Sequence, residues 1–229
     1  MIFISNPKLR TALSFLLVAL LIPCIVLLGA LVFDAKAHLW ISLSVALLSL
    51  VLLVAGFERR EIGTRRMVLT SVMVALCVVG RLIPLFKPVT AICVLCAIYL
   101  GPQAGFYTGA VSALLSNFMF GQGPWTPFQM LAWGLIGLFA GLLAKPLQKS
   151  RLLLILYGAL AGIAFSAIMD VWSVLWATAG NPMLDGYLAA IVAALPHTAL
   201  YTASNVLFLW LFSKPIGDKL QRIKIKYGV

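Results

Sequence analysis

Residues 88–144 read PVTAICVLCAIYLGPQAGFYTGAVSALLSNFMFGQGPWTPFQMLAWGLIGLFAGLLA, 57 positions from Pro88 to Ala144 without one Asp, Glu, Lys or Arg. One helical crossing of a bilayer needs about 20 apolar residues, so this stretch holds several. Glycine and proline interrupt helices, and they cut it at Gly101-Pro102 and at Gly121-Gln122-Gly123-Pro124-Trp125-Thr126-Pro127. The spacing predicts three spans, at 88–100, 103–120 and 127–144. The apolar runs are continuous and lack period-two alternation, which speaks against a transmembrane β-barrel.

Working outward, the same pattern extends in both directions. Upstream, apolar runs predict spans at 11–33, at 37–57 and from Met67 to just before Pro84. The run from Thr11 to Phe33 is too long for a signal-peptide core and reads as an uncleaved helix. Downstream, spans are expected at 152–178 and 187–213, followed by a tail bearing Lys214, Lys219, Arg222, Lys224 and Lys226. The fold class is therefore all-α, a polytopic membrane helix bundle. Two parts are expected: an N-terminal transmembrane hairpin with its basic loop at 1–66, and a core of six helices with a basic tail at 67–229.

Composition agrees. The 229 residues are 63% hydrophobic and 10% charged, with a mean hydropathy of +1.09; soluble domains are about 25% charged. That excludes a soluble enzyme, a disordered chain and a disulfide scaffold. The net charge of +11 reads as topology signalling toward the cytoplasm and anionic lipid, not as nucleic-acid binding. With the N-terminus in the cytoplasm, Lys8, Arg10, Arg59, Arg60, Arg65, Arg66, Lys145, Lys149, Arg151 and the five tail residues lie inside. Only Lys36, Arg81 and Lys87 lie outside, a ratio of 14 to 3. Both termini are then cytoplasmic, and the outer segments are 34–37, 82–87, 120–126 and 179–186.

Small residues recur every four positions at Gly105, Gly109 and Ala113, at Gly137 and Gly141, and at Gly158, Gly162 and Ser166. That spacing lets membrane helices approach closely. Cys24, Cys77, Cys93 and Cys96 all lie in apolar runs; the Cys93-x-x-Cys96 pair has apolar neighbours and reads as packing, with no metal site or cofactor expected.

Ionisable residues inside a span are costly and usually functional. Asp170 and His197 each lie roughly 12–15 Å below the outer surface at 1.5 Å per helical residue. They are expected either to pair and hold two helices together or to line a pocket open to the outside. Tyr201 shares a helix face with His197, and Asn117, Gln129 and Trp133 lie at similar or shallower depth. Gln122 and Trp125 sit in the outer loop, and Trp172 near the outer end of its span. The candidate substrate-binding set is therefore Asn117, Gln122, Trp125, Gln129, Trp133, Asp170, Trp172, His197 and Tyr201. Arg81, Phe86 and Lys87 line a neighbouring loop.

The sequence contains no P-loop, H-E-x-x-H or G-x-S-x-G motif, so no ATP site, zinc protease site or serine nucleophile is expected. A pocket without its own energy source suggests a binding subunit. The stretch Ser116-Asn117-Phe118-Met119-Phe120-Gly121-Gln122-Gly123-Pro124-Trp125-Thr126-Pro127-Phe128-Gln129-Met130, followed by Ala132-Trp133-Gly134-Leu135-Ile136-Gly137, resembles the substrate-binding S-components of energy-coupling factor (ECF) vitamin transporters. The resemblance covers about Met67 to Ser213. It implies a bacterial plasma-membrane protein that captures a vitamin from outside and works with a transmembrane coupling subunit and two ATP-binding-cassette ATPases. It also implies a small-residue docking patch for the coupling subunit on the first core helix, matched here by Ser71 and Ala75. The loop from Phe120 to Thr126 is most similar to S-components for cobalamin or its precursors. The resemblance assigns no role to the two N-terminal spans. The competing readings are a stand-alone secondary carrier and, more remotely, a membrane enzyme using Asp170 and His197 as acid and base.

Overall fold

The computed structural model describes residues 64–177 and 184–228. The expected spans at 11–33 and 37–57 lie outside the described residues, as does most of the 179–186 segment. The described chain is all-helical: α1 (Thr64–Gly80), α2 (Val89–Leu100), α3 (Pro102–Phe120), α4 (Thr126–Leu142), α5 (Ala144–Lys149), α6 (Arg151–Ala177) and α7 (Leu184–Tyr227). The breaks fall where glycine and proline predict them. Gly101 takes φ +102°, a left-handed value that a side chain adopts only under strain, and Pro102 follows as the first residue of α3, where its missing N–H costs nothing.

The short α5 was not expected; it turns the chain between α4 and α6 at a cluster of basic residues. The final span and the tail are likewise one unbroken helix of 44 residues, with Pro196 and Pro215 inside it. Two described helices are long and apolar enough to cross a membrane, α6 and the Asp185–Tyr227 part of α7, while α2 and α4 are shorter apolar helices.

At 12 residues, α2 is about 18 Å long. It survives because it is not lipid-facing. Cys93, Val94, Cys96 and Ala97 are fully buried, and α1, α3, α4 and α7 pack around it. A helix that is apolar all round belongs in such a position. Cys77, Cys93 and Cys96 are free and buried, consistent with packing.

The small-residue repeats sit at the helix crossings. A Cβ on Gly105 would strike the backbone of Gly137, one on Gly109 the backbone of Trp133, and one on Gly141 that of Pro102. These contacts seat α3 on α4. Between α6 and α7, Gly158 faces Leu209 and Asn205, Gly162 faces Thr202, and the Asn205 amide donates to the Gly158 carbonyl at 3.1 Å. Large apolar side chains point away from this core: Phe118, Leu152, Leu160 and Val192 are all exposed. Apolar surface outside and hydrogen-bonded polar groups inside suit a lipid solvent.

The bundle has two unlike ends. One gathers Arg65, Arg66, Lys145, Lys149, Arg151 and the basic end of α7, whose Tyr227 carbonyl accepts from Arg65 at 2.6 Å. The other holds the 81–88 loop, the 121–125 loop and the facing ends of α6 and α7.

Candidate functional site

At this second end, α3 carries a ladder of buried hydroxyls. Thr108 donates to the Ala104 carbonyl at 2.8 Å, Ser112 to Thr108, and Ser116 to Ser112 at 2.6 Å. Each hydroxyl satisfies itself on the carbonyl one turn back. Asn117, fully buried, ends the ladder, and its amide donates to Thr126 Oγ1 at 2.8 Å and to Gln129 Oε1 at 2.9 Å. The Thr126 hydroxyl donates to Gln122 Oε1 at 3.0 Å, and Gln122 Nε2 donates to the Leu114 carbonyl at 2.9 Å. One connected set of amides and hydroxyls therefore ties the glycine-rich loop to α3 and α4.

Arg81 enters this set from just beyond α1. Its Nη1 donates to Ser116 Oγ at 2.5 Å and to Asn117 Oδ1 at 2.6 Å. Its guanidinium lies over two rings, 4.8 Å from the Phe120 centroid and 5.4 Å from that of Trp133. A buried cation is costly unless it is paired or hydrogen-bonded, and here two aromatic faces and two neutral acceptors take that role. Arg81 Nε remains buried without a partner. The loop that delivers Arg81 is fixed at its far end, where the buried Ser204 hydroxyl donates to the Lys87 carbonyl at 3.1 Å. Lys87 Nζ lies 5.6 Å from the Phe120 ring. Burial first, and then the Arg81 charge, pull the Lys87 ammonium below the ordinary lysine range.

From Trp133 a row of rings leads outward through the bundle. Trp133 stacks on Phe165 at 4.9 Å and 17°, Phe165 on Tyr201 at 5.1 Å and 20°, and Tyr201 meets His197 at 4.6 Å and 54°. Trp133 is fully buried, its indole N–H unpartnered, while His197 is exposed. The row thus links the Arg81 set to α6 and α7.

Of the expected binding residues, Asn117, Gln122 and Gln129 share one hydrogen-bonded cluster, and Trp133, Tyr201 and His197 share the ring row joined to it through Arg81. Trp125 and Trp172 lie elsewhere, in an apolar cluster with Phe128, Leu131 and Leu175. Asp170 is buried, yet among the described residues no hydrogen bond or ion pair joins it to His197. The Ser166 hydroxyl contacts that of Thr198 at 2.5 Å across the antiparallel α6 and α7. Asp170 is one turn beyond Ser166 and so stands level with the region of Ala194, away from His197. The sequence suggested equal depth; the register of α6 on α7 sets the two about one turn apart.

Arg81 was missing from the expected binding set. Its signal was available: between Met67 and Phe86 it is the only charged residue. Position alone made it a loop cation, and only the folded chain brings it to Ser116 and Asn117. Ser71 and Ala75, the expected docking residues, are exposed on α1. They line a groove of about 250 Å³ between α1 and α3, with Val74, Tyr107 and Leu115 on its walls.

A family model described as ECF-type riboflavin transporter, S component, matches residues 61–215. No curated protein and no solved structure gives a significant match. The match spans more than half of the chain, so the chain belongs to this family of transporter components and is a membrane subunit for vitamin uptake.

Proposed function

We propose that this S-component captures a flavin-like vitamin, riboflavin or a close relative, from outside the bacterial plasma membrane. It delivers that vitamin through a transmembrane coupling subunit powered by two ATP-binding-cassette ATPases. The observation that carries the choice of ligand is the row of flat rings from Trp133 to His197, with spacings of 4.9 and 5.1 Å between its first three members. A planar tricyclic ring can continue this stack by offset packing at its open end, Tyr201 and the exposed His197, and the amides of Gln122 and Gln129, which are not fully buried, supply donors and acceptors suited to a ring edge rich in carbonyl and imide groups. The description of the matching family supports the same choice.

Cobalamin is the second reading, favoured by the glycine- and aromatic-rich loop from Phe120 to Thr126. A corrinoid asks for a wide mouth and many amide partners, which the Asn117–Thr126–Gln122 set supplies in part. The test is direct. Purified protein is titrated with riboflavin, whose fluorescence is quenched on stacking, and with cobalamin in competition. Saturable quenching that cobalamin does not reverse supports the flavin reading. Saturable cobalamin binding without quenching by riboflavin transfers the assignment to a corrinoid. Co-purification with ATPase subunits, and uptake that depends on them, tests the energised mechanism against a stand-alone carrier.

A further inference from the structure

Within the binding end, charge is out of balance. Arg81 is the one buried cation among the described residues, and its hydrogen-bond partners, Ser116 and Asn117, are neutral. Lys87 shares the Phe120 ring with Arg81, its Nζ 5.6 Å from the ring centroid. No carboxylate pairs with either cation among the described residues. Asp170, the one buried acid among the described residues, belongs to α6 and lies beside Tyr187 of α7, whose hydroxyl donates to the Ala167 carbonyl at 3.2 Å.

A bilayer protein gains nothing from two adjacent unpaired cations as a helix clamp, because neutral side chains could make the same hydrogen bonds without the cost of desolvating charge. The guanidinium is also left with donor capacity. It presents five N–H groups in a fixed fork, and its Nε–H is buried without an acceptor. A fork with an unused edge, backed by a second cation, is a receptor for an oxyanion.

We propose that Arg81 and Lys87 form an oxyanion-receiving subsite, and that the favoured ligand is a planar ring system carrying a phosphate monoester or comparable oxyanion. The ring stacks at the open end of the row, against Tyr201 and His197, and the oxyanion meets the Arg81 fork and the Lys87 ammonium. This rests on the flavin reading above and sharpens it from a neutral vitamin to a phosphorylated one. The competing source of the same chemistry is the phosphate of an anionic lipid headgroup.

The test compares riboflavin with riboflavin 5′-phosphate by fluorescence quenching on the full chain, in nanodiscs of phosphatidylcholine and in nanodiscs containing phosphatidylglycerol. The phosphate ester is expected to bind roughly tenfold tighter or more, the scale of a charge-assisted contact, in both lipids. Lys87→Gln, on the half-buried loop edge, should erase most of that preference while riboflavin still binds, and Arg81→Lys, which keeps the charge but loses the planar fork, should reduce it. Equal or weaker binding of the phosphate ester, with riboflavin binding intact, overturns the subsite and leaves the flavin reading standing. A preference present in phosphatidylcholine but abolished by phosphatidylglycerol also overturns it and gives the two cations to a lipid headgroup. Binding of neither flavin overturns both readings.

Discussion

Arg81 and Asn117, 36 positions apart in sequence, meet through a hydrogen bond of 2.6 Å from the guanidinium to the side-chain carbonyl. The same Asn117 then donates through its amide to Thr126 and Gln129. One side chain thereby fixes the end of α1, the end of α3 and the start of α4 with respect to one another. Asn117 is the hub on which the shape of this end of the bundle depends.

Asn117→Leu should therefore destabilise the protein well beyond an ordinary surface change. It strands a cation and two polar side chains, each at about 1–3 kcal/mol for a buried group left unsatisfied. Thermal unfolding in detergent should show the midpoint falling clearly, with Gln122→Ala, on an exposed position, costing much less. Equal midpoints for wild type and Asn117→Leu would remove Asn117 from this role.

The glycines of the α3–α4 crossing should separate steric from conformational effects. Gly105→Leu drives a side chain into the Gly137 backbone and should cost at least the 1–3 kcal/mol typical of overpacking. Gly121→Ala meets nothing within 4 Å but sits at φ +101°, ψ 127°, so its cost, about 1–3 kcal/mol, is backbone strain alone. Both unfolding midpoints should fall, that of Gly105→Leu the further.

Asp170 and His197 should behave as independent residues. Each is expected to tolerate a change at the other, so a double-mutant cycle of Asp170→Asn with His197→Gln should give a coupling of no more than about 0.5 kcal/mol, the value for sites without shared partners. A coupling several times larger would mean that the two side chains are paired after all.

Replacing Ser71 and Ala75 with leucine fills the groove bounded by Tyr107 and Leu115. Such bulk prevents close helix approach, so energised uptake should fall while ligand binding by the isolated subunit persists. Normal uptake by the double variant would move the coupling contact to another face.

What the sequence disclosed follows from which interactions are local. The break at Gly101-Pro102 and the crossing glycines were legible because backbone conformation and side-chain size are properties of the residues themselves. The grouping of Asn117 with Gln129 was legible because twelve residues and one turn separate them. The Arg81 site was not, because its burial depends on Ser116 and Asn117 arriving from α3. Counting residues from the helix ends placed Asp170 and His197 at one depth, but the α6–α7 register is set by the packing at Ser166 and Thr198, which puts them about one turn apart. Trp125 and Trp172 were grouped with the polar set for the same reason, while their rings serve the apolar cluster around Phe128.

The orientation of the bundle can be tested at two exposed glutamines. Gln122 lies in the loop after α3, beside the end that holds Arg81 and Lys87; Gln148 lies on α5, among Lys145, Lys149 and Arg151. The excess of Lys and Arg at the α5 end predicts that this end faces the cytoplasm. In a background with the native cysteines replaced, Gln122→Cys should react with an impermeant maleimide added to intact cells, and Gln148→Cys should react only after the membrane is opened. The native Cys77, Cys93 and Cys96 are buried, so replacing them by alanine removes small packing groups. Labelling in the reverse order would turn the bundle over, place Arg81 and Lys87 on the cytoplasmic side, and remove the premise that the vitamin is captured from outside.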